Sequence, residues 1–141
     1  MANSILLTVS TPNGIFFEGE VESFVVPSVN GPVEISPLFT NIITTLLPSG
    51  VMKITKDHKA SYYAVFGGVL RVDRTEHCYL FTEEINDGYE IDMARAIAAR
   101  DRNLDRINKN ESDDDVRKAK IKLAKALARI DAKSLSEGKH R

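Results

Sequence analysis

The chain has 141 residues, with 19 Lys and Arg against 20 Asp and Glu, a formal net charge of −1, 43% apolar and 28% charged residues. That composition fits one or two small folded domains, excludes whole-chain disorder and argues against a nucleic-acid coat protein. The single cysteine, Cys78, excludes an intramolecular disulfide framework and a cysteine-rich zinc site, and no apolar stretch reaches the roughly 18 residues of a membrane-spanning helix.

Residues 1–10 lack the basic and apolar segments of a secretory signal. The expected location is therefore a reducing compartment, the cytoplasm. Residues 1–86 carry five basic and nine acidic side chains, whereas residues 87–141 carry fourteen basic and eleven acidic. All five prolines and all ten aromatics but Tyr89 precede residue 87, while alanine crowds into residues 94–132. β-branched and aromatic residues favour strands; Ala, Lys, Arg and Leu favour helix. The shift predicts an α+β chain with segregated parts, a β domain over residues 1–86 and a helical one over 87–141, with the seam near Asn86-Asp87-Gly88.

Apolar runs at residues 5–9, 15–17, 21–26, 41–47, 51–54, 62–66, 69–72 and 78–81 are separated by turn residues such as Asn13-Gly14, Asn30-Gly31 and Pro48-Ser49-Gly50. Asn-Gly supplies positive φ at little cost, as tight hairpins require. Roughly eight to ten short strands at this spacing predict a sandwich or flattened barrel. Gly67-Gly68, inside one such pattern, predicts a bulge or sharp bend.

The second part reads as an antiparallel two-helix hairpin. Helix one is expected over residues 90–108, with Ile91, Met93, Ile97, Leu104 and Ile107 among alanines. A polar link follows. Ser112 opens an S-x-x-D pattern with Asp115, which caps a second helix over residues 113–135. There Val116, Ala119, Leu123, Ala126 or Leu127, and Ile130 recur at three- and four-residue steps. Each stripe is narrow and mostly alanine. At roughly 25 cal/mol per Å² such a seam barely exceeds ordering entropy, so the hairpin should dock on its own β domain or on a partner and exchange between them.

Catalytic patterns are absent from the sequence. His58, His77 and His140 are scattered, Cys78 lies in an apolar strand pattern, and Glu83-Glu84 point to opposite faces of a strand end. Asp113-Asp114-Asp115 lacks the glycine and distal glutamate of a calcium loop, and no P-loop is present. The expectation is a chain that catalyses nothing, needs no cofactor and holds no metal. Arg117, Lys118, Lys120, Lys122, Lys125, Arg129 and Lys133 face one acid, Asp131. They form either a solvated face or a basic rod for an acidic protein surface. No aromatic interleaves them for base stacking, so nucleic acid is not the expected partner.

A β domain of this size followed by an Ala-rich hairpin resembles the epsilon subunit of F-type ATP synthase along essentially the whole chain. The opening Leu7-Thr8-Val9 through Phe16-Phe17-Glu18-Gly19-Glu20-Val21 is similar to that family's first hairpin. Phe66-Gly67-Gly68-Val69-Leu70-Arg71-Val72 is similar to its glycine-pair strand, and Ile91-Asp92-Met93-Ala94-Arg95-Ala96 to its [I/L]-D-x-x-R-A motif. Residues 119–130 are similar to its second helix. One segment departs. Where the family usually reads G-x-L-G-I-x-P-G-H-x-P-L-L, this chain runs from Gly31 to Ile43 without the second glycine, the Gly-His pair or the second proline. In the family that segment lies near the gamma subunit and the membrane ring.

The resemblance implies a non-catalytic central-stalk subunit that couples rotation to ion flow and restrains ATP hydrolysis through its hairpin. It would be peripheral on the inner face of the cell membrane without entering it. The implied partners are gamma, the alpha/beta catalytic ring and the membrane c-ring, contacted through Leu38, Phe39 and Ile42 on the β domain and Arg117, Lys118, Lys120 and Lys122 on the hairpin. Some bacterial members bind ATP in the folded hairpin. Matching by motif places Asp92, Arg95, Arg102, Lys125 and Arg129 on that site, with Lys125 replacing an arginine and Asn86 replacing a glutamate. Read from the residues alone, Asp92 is a helix-start dipole partner and Arg95 a surface ion-pair residue. The rival readings are a free-standing ATP-sensing switch, an adaptor whose basic hairpin binds RNA or an acidic partner, and a subunit of an F1-like ATPase with an unusual stalk or membrane sector.

Overall fold

A computed structural model describes residues 4–38, 41–73, 75, 77–109 and 112–138. Ten strands precede two helices. They are β1 Ile5–Thr11, β2 Gly14–Val21, β3 Ser23–Ser28, β4 Gly31–Ile35, β5 Ile42–Thr45, β6 Gly50–Lys56, β7 Lys59–Phe66, β8 Val69–Val72, β9 His77–Phe81 and β10 Glu84–Asp87. A single 3₁₀ turn, Gly88–Glu90, leads to α1 Met93–Lys109 and α2 Asp113–Ser136. The strands form a sandwich of two five-stranded sheets ordered β2-β1-β9-β8-β5 and β10-β7-β6-β3-β4. All pairings are antiparallel except β1 with β9, where Leu6 to Ser10 run parallel to His77 to Phe81.

Alternation along the strands supplies the core. Ile5, Leu7 and Val9 of β1, Leu70 and Val72 of β8, and Cys78 and Leu80 of β9 point from the first sheet towards Phe24, Val26, Met52, Ile54 and Val65 of the second. This cluster contains no helical residue, so the sandwich closes its main core without the hairpin.

Several expected boundaries shift for identifiable reasons. The run at residues 21–26 is two strands: Val21 ends β2 in one sheet, and Phe24 faces the core from the other. Of the bulge or sharp bend expected at Gly67-Gly68 the structure has the bend, the corner at which β7 leaves the second sheet and β8 enters the first. Both glycines have positive φ, and a Cβ on Gly68 would lie 2.1 Å from the Phe81 carbonyl oxygen. Thr82 pins the corner, its hydroxyl donating to the Gly67 carbonyl at 2.6 Å. Helix one begins three residues later than expected, because Ile91 is extended (φ −70°, ψ 133°) between the 3₁₀ turn and α1.

The hairpin docks on its own sandwich. Ala128 and Ala132 of α2 pack with Ala64 and Phe66 of β7, Val51 of β6 and Ile91, forming a small satellite cluster on the outer face of the second sheet. Ala64, Val65 and Phe66 are therefore buried in succession, one side of the strand by the main core and the other by α2. Ala96 and Asn103 of α1 and Ala119 and Ala126 of α2 are the buried residues between the helices.

Candidate functional site

A cleft of about 560 Å³ opens where β10, the 3₁₀ turn, α1 and α2 meet. Ala96, Ala99 and Ala126 form an apolar, small-residue part of its wall, with Ile85, Ile91 and Phe16 beside them. Arg95 and Arg102 reach it from α1. They are two turns apart, roughly 10 Å along one helix face. Neither guanidinium has an ion-pair partner among the described residues. Arg129 enters from α2 and is already engaged. Its Nη2 donates to Glu84 Oε2 at 3.0 Å, its Nε donates to Asn86 Oδ1 at 2.9 Å, and its guanidinium lies 4.8 Å from the Phe66 ring centroid. Glu84 and Asn86 reach it together because residues two apart share a strand face.

The acidic lining is partly structural. Asp92 Oδ1 accepts from the Arg95 backbone N–H at 3.2 Å and the Asp92 carbonyl from Ala96, so Asp92 caps α1. Asp87 accepts from the Tyr89 N–H at 3.0 Å and caps the 3₁₀ turn. With Glu84 and Glu90, four carboxylates face three arginines in the cleft. Below it Tyr63 is held neutral to a pH above the usual phenol range, by burial first and the Asp87 charge second.

The structure thus brings together four of the five residues matched to a nucleotide site, Asp92, Arg95, Arg102 and Arg129, and separates the fifth. Lys125 does not line the cleft; its ammonium lies 5.5 Å from the Phe66 ring centroid. The uniform basic rod is corrected too. Lys125, Arg129 and Lys133, four residues apart, form a half-buried stripe against the sandwich, with Lys133 Nζ donating to the Tyr89 carbonyl at 2.8 Å. Arg117, Lys118, Lys120 and Lys122 are exposed, the first two beside Asp114.

On the β domain, Leu38 is 87% and Ile43 72% exposed. Ile42 is corrected: it is half-buried and packs against the main core, as alternation within β5 requires. Phe39, Arg74, Glu76, His140 and the link residues 110–111 lie outside the described residues. An apolar cross-strand row was missed by sequence reasoning: Val69 stands opposite Phe81, and both are about half exposed on the outer face of the first sheet beside Arg71 and Tyr79. Its signal was present, since residues 69–70 and 80–81 are apolar on both faces of their strands. His77 stacks on Tyr79 on that face and His58 pairs with Glu22; Cys78 is buried.

Residues 4–85 match the family described as ATP synthase, Delta/Epsilon chain, beta-sandwich domain, and residues 90–134 match its long alpha-helix domain. The chain belongs to the ATP synthase delta/epsilon family. Among relatives, an ATP synthase epsilon chain of Desulfitobacterium hafniense is 33% identical over 94% of this chain and 98% of its own length. That of Bacillus velezensis is 31% identical over 91% and 96%. Among solved structures, a chain of the Euglena gracilis mitochondrial ATP synthase (OSCP/F1/c-ring) superposes with a TM-score of 0.80 at 18% identity, covering 99% of this chain and 84% of that one. A Tetrahymena thermophila central stalk/c-ring chain superposes at 0.61 and 14% identity. The relatives place it with the ATP synthase epsilon chains, and none of its described helices is long and apolar enough to cross a membrane.

Proposed function

We propose that this epsilon-type subunit couples stalk rotation to ion translocation and restrains ATP hydrolysis by releasing its hairpin from the sandwich towards the catalytic ring. The observation that carries this is the separation of the two cores: the sandwich packs without any helical residue, and the hairpin is held by a small satellite cluster and a basic stripe. Such a seam can open without unfolding the head. The partners in this reading are gamma and the alpha/beta ring, with the exposed end of α2 (Arg117, Lys118, Lys120, Lys122) meeting acidic surface on the ring. The c-ring contacts the β domain near Leu38 and Ile43. The chain itself catalyses nothing and works peripherally on the inner face of the membrane.

The test uses opposite signs. In a reconstituted F1 complex, ending the chain at Asp87 should raise ATP hydrolysis, and loosening the seam with R129A/K133A should lower it. Equal hydrolysis in all three complexes would overturn the inhibitory role.

A second reading concerns ATP as a regulatory ligand. Arg95, Arg102 and Arg129 converge on a cleft with an alanine-lined wall, an arrangement suited to a triphosphate with its base and sugar on apolar surface. Both helices supply those groups and β10 lines the same cleft, so a nucleotide would favour the docked hairpin. Calorimetric titration with ATP tests it: no heat and no melting shift at millimolar ATP ends this reading.

A further inference from the structure

The three arginines of the cleft are not equivalent. Arg95 and Arg102 have no ion-pair partner among the described residues, whereas the side-on edge of Arg129, Nε with Nη2, is filled by Asn86 and Glu84. Its flat face is covered by the Phe66 ring. That edge is the planar fork that takes a phosphoryl group through two parallel hydrogen bonds. Glu84 is therefore placed where a phosphate would sit, and Asn86 steadies it, its Nδ2 donating to Glu84 Oε2 at 3.3 Å.

We infer that Glu84 is an internal competitor for the phosphate chain of a nucleoside triphosphate, a carboxylate that occupies Arg129 and sets how much ATP the cleft requires. This rests on the nucleotide reading of the cleft. A triphosphate settles on Arg95 and Arg102 first and gains Arg129 only by displacing Glu84, so one charge-assisted contact is exchanged for another and the third arginine adds little net affinity. Glu84 then also faces the incoming phosphates as a like charge. Neutralising it removes both effects and leaves Arg129 its bond to Asn86 and its seat on Phe66, which continue to hold the hairpin.

Calorimetry with metal-free ATP at constant ionic strength tests this on the full chain. Glu84→Gln should tighten binding about tenfold, the factor equivalent to part of one charge-assisted hydrogen bond. Glu90→Gln removes the same charge from the same cleft without touching an arginine and should tighten it far less. Hydrogen exchange across α2 should be unchanged in Glu84→Gln. Equal gains in the two variants would overturn the inference by reducing Glu84 to one more negative charge. Weaker binding, or loss of protection in α2, would also overturn it, by making Glu84 a hairpin fastener. Wild type that binds no ATP at millimolar concentration would bring down the nucleotide reading itself. Wild type that binds, with an unchanged Glu84→Gln, would bring down the competitor alone.

Discussion

Gly88 is the tightest point of the junction between head and hairpin. A Cβ there would meet Ser136 Oγ at 2.0 Å, the Ala132 carbonyl oxygen at 2.6 Å and the Tyr62 carbonyl oxygen at 2.7 Å. The φ of Gly88 lies outside the left-handed region, so alanine meets no backbone strain and its cost is steric alone. Two of the three obstacles are main-chain atoms of α2 and β7, which no rotamer change can move; the added methyl must lift α2. Overpacking of this kind costs about 1–3 kcal/mol. Against that stands the satellite cluster of Phe66, Ile91, Ala128 and Ala132, whose burial is worth about 5–8 kcal/mol gross before ordering entropy is subtracted. Gly88→Ala should therefore move the docked-to-free ratio of the hairpin by a factor of about 5 to 150. Hydrogen exchange resolved along the chain is the assay: protection should fall across α2 while β1, β8 and β9 keep theirs. Gly19→Ala is the control, because its Cβ meets only ordinary contacts at 3.7 and 3.9 Å. Protection of α2 that survives Gly88→Ala, or that falls no further than in Gly19→Ala, would refute the close-packed junction.

Phe66→Ala should cost about 3–5 kcal/mol, shared between the corner of the sandwich and hairpin docking, since the ring supports both Lys125 and Arg129; a lowered melting midpoint with early loss of α2 protection is the expected result. Asn103, 1% exposed, donates to the Ala99 carbonyl, but its Oδ1 accepts no hydrogen bond among the described residues. Asn103→Leu should raise the midpoint by the equivalent of about 1–3 kcal/mol, and a lowered midpoint would show that the oxygen is satisfied in solution. Val69→Ser with Phe81→Ser should leave the melting of the isolated chain nearly unchanged and weaken its retention by the F1 complex in gel filtration; equal retention removes this face from the interface. The Asp73 carboxyl is held below its usual range, first by the Thr75 hydroxyl and further by the Thr75 and His77 backbone N–H groups. A lowered folded-state value means stability that is present above the ordinary carboxylate range and lost as pH falls through the folded value, so Thr75→Val should flatten the acid side of the melting-versus-pH curve.

Central strands were legible in the sequence because each buries a full apolar face. The two that left little trace, β4 and β10, are the edge strands of the second sheet. An edge strand pairs on one side only, tolerates Pro32 and needs few apolar residues; Glu84-Ile85-Asn86-Asp87 offers a single one. The helices and the Ser112 cap followed from periodicity and spacing, and Ser112 Oγ does accept from the Asp115 N–H at 3.1 Å. In the cleft, the seven-residue step from Arg95 to Arg102 puts both on one helix face, which a sequence can reveal. The engagement of Arg129 by Glu84 and Asn86 joins residues 43 and 45 positions apart and depends on where α2 crosses the sheet, which no local pattern encodes. For the same reason the basic run looked uniform, although the crossing turns Lys125, Arg129 and Lys133 inward and leaves Arg117 to Lys122 in solvent.

The parallel pairing of β1 with β9 has a bearing on biosynthesis. The first strand waits for a neighbour about seventy residues downstream, so its sheet is incomplete until Phe81 has left the ribosome, several seconds after Ile5 at roughly 5–20 residues per second. During that interval β1 and β2 form an exposed ribbon, vulnerable to pairing with other nascent chains. The helices emerge last, onto a head whose interior is already sealed, and so dock as a late and separable event rather than as part of the nucleus.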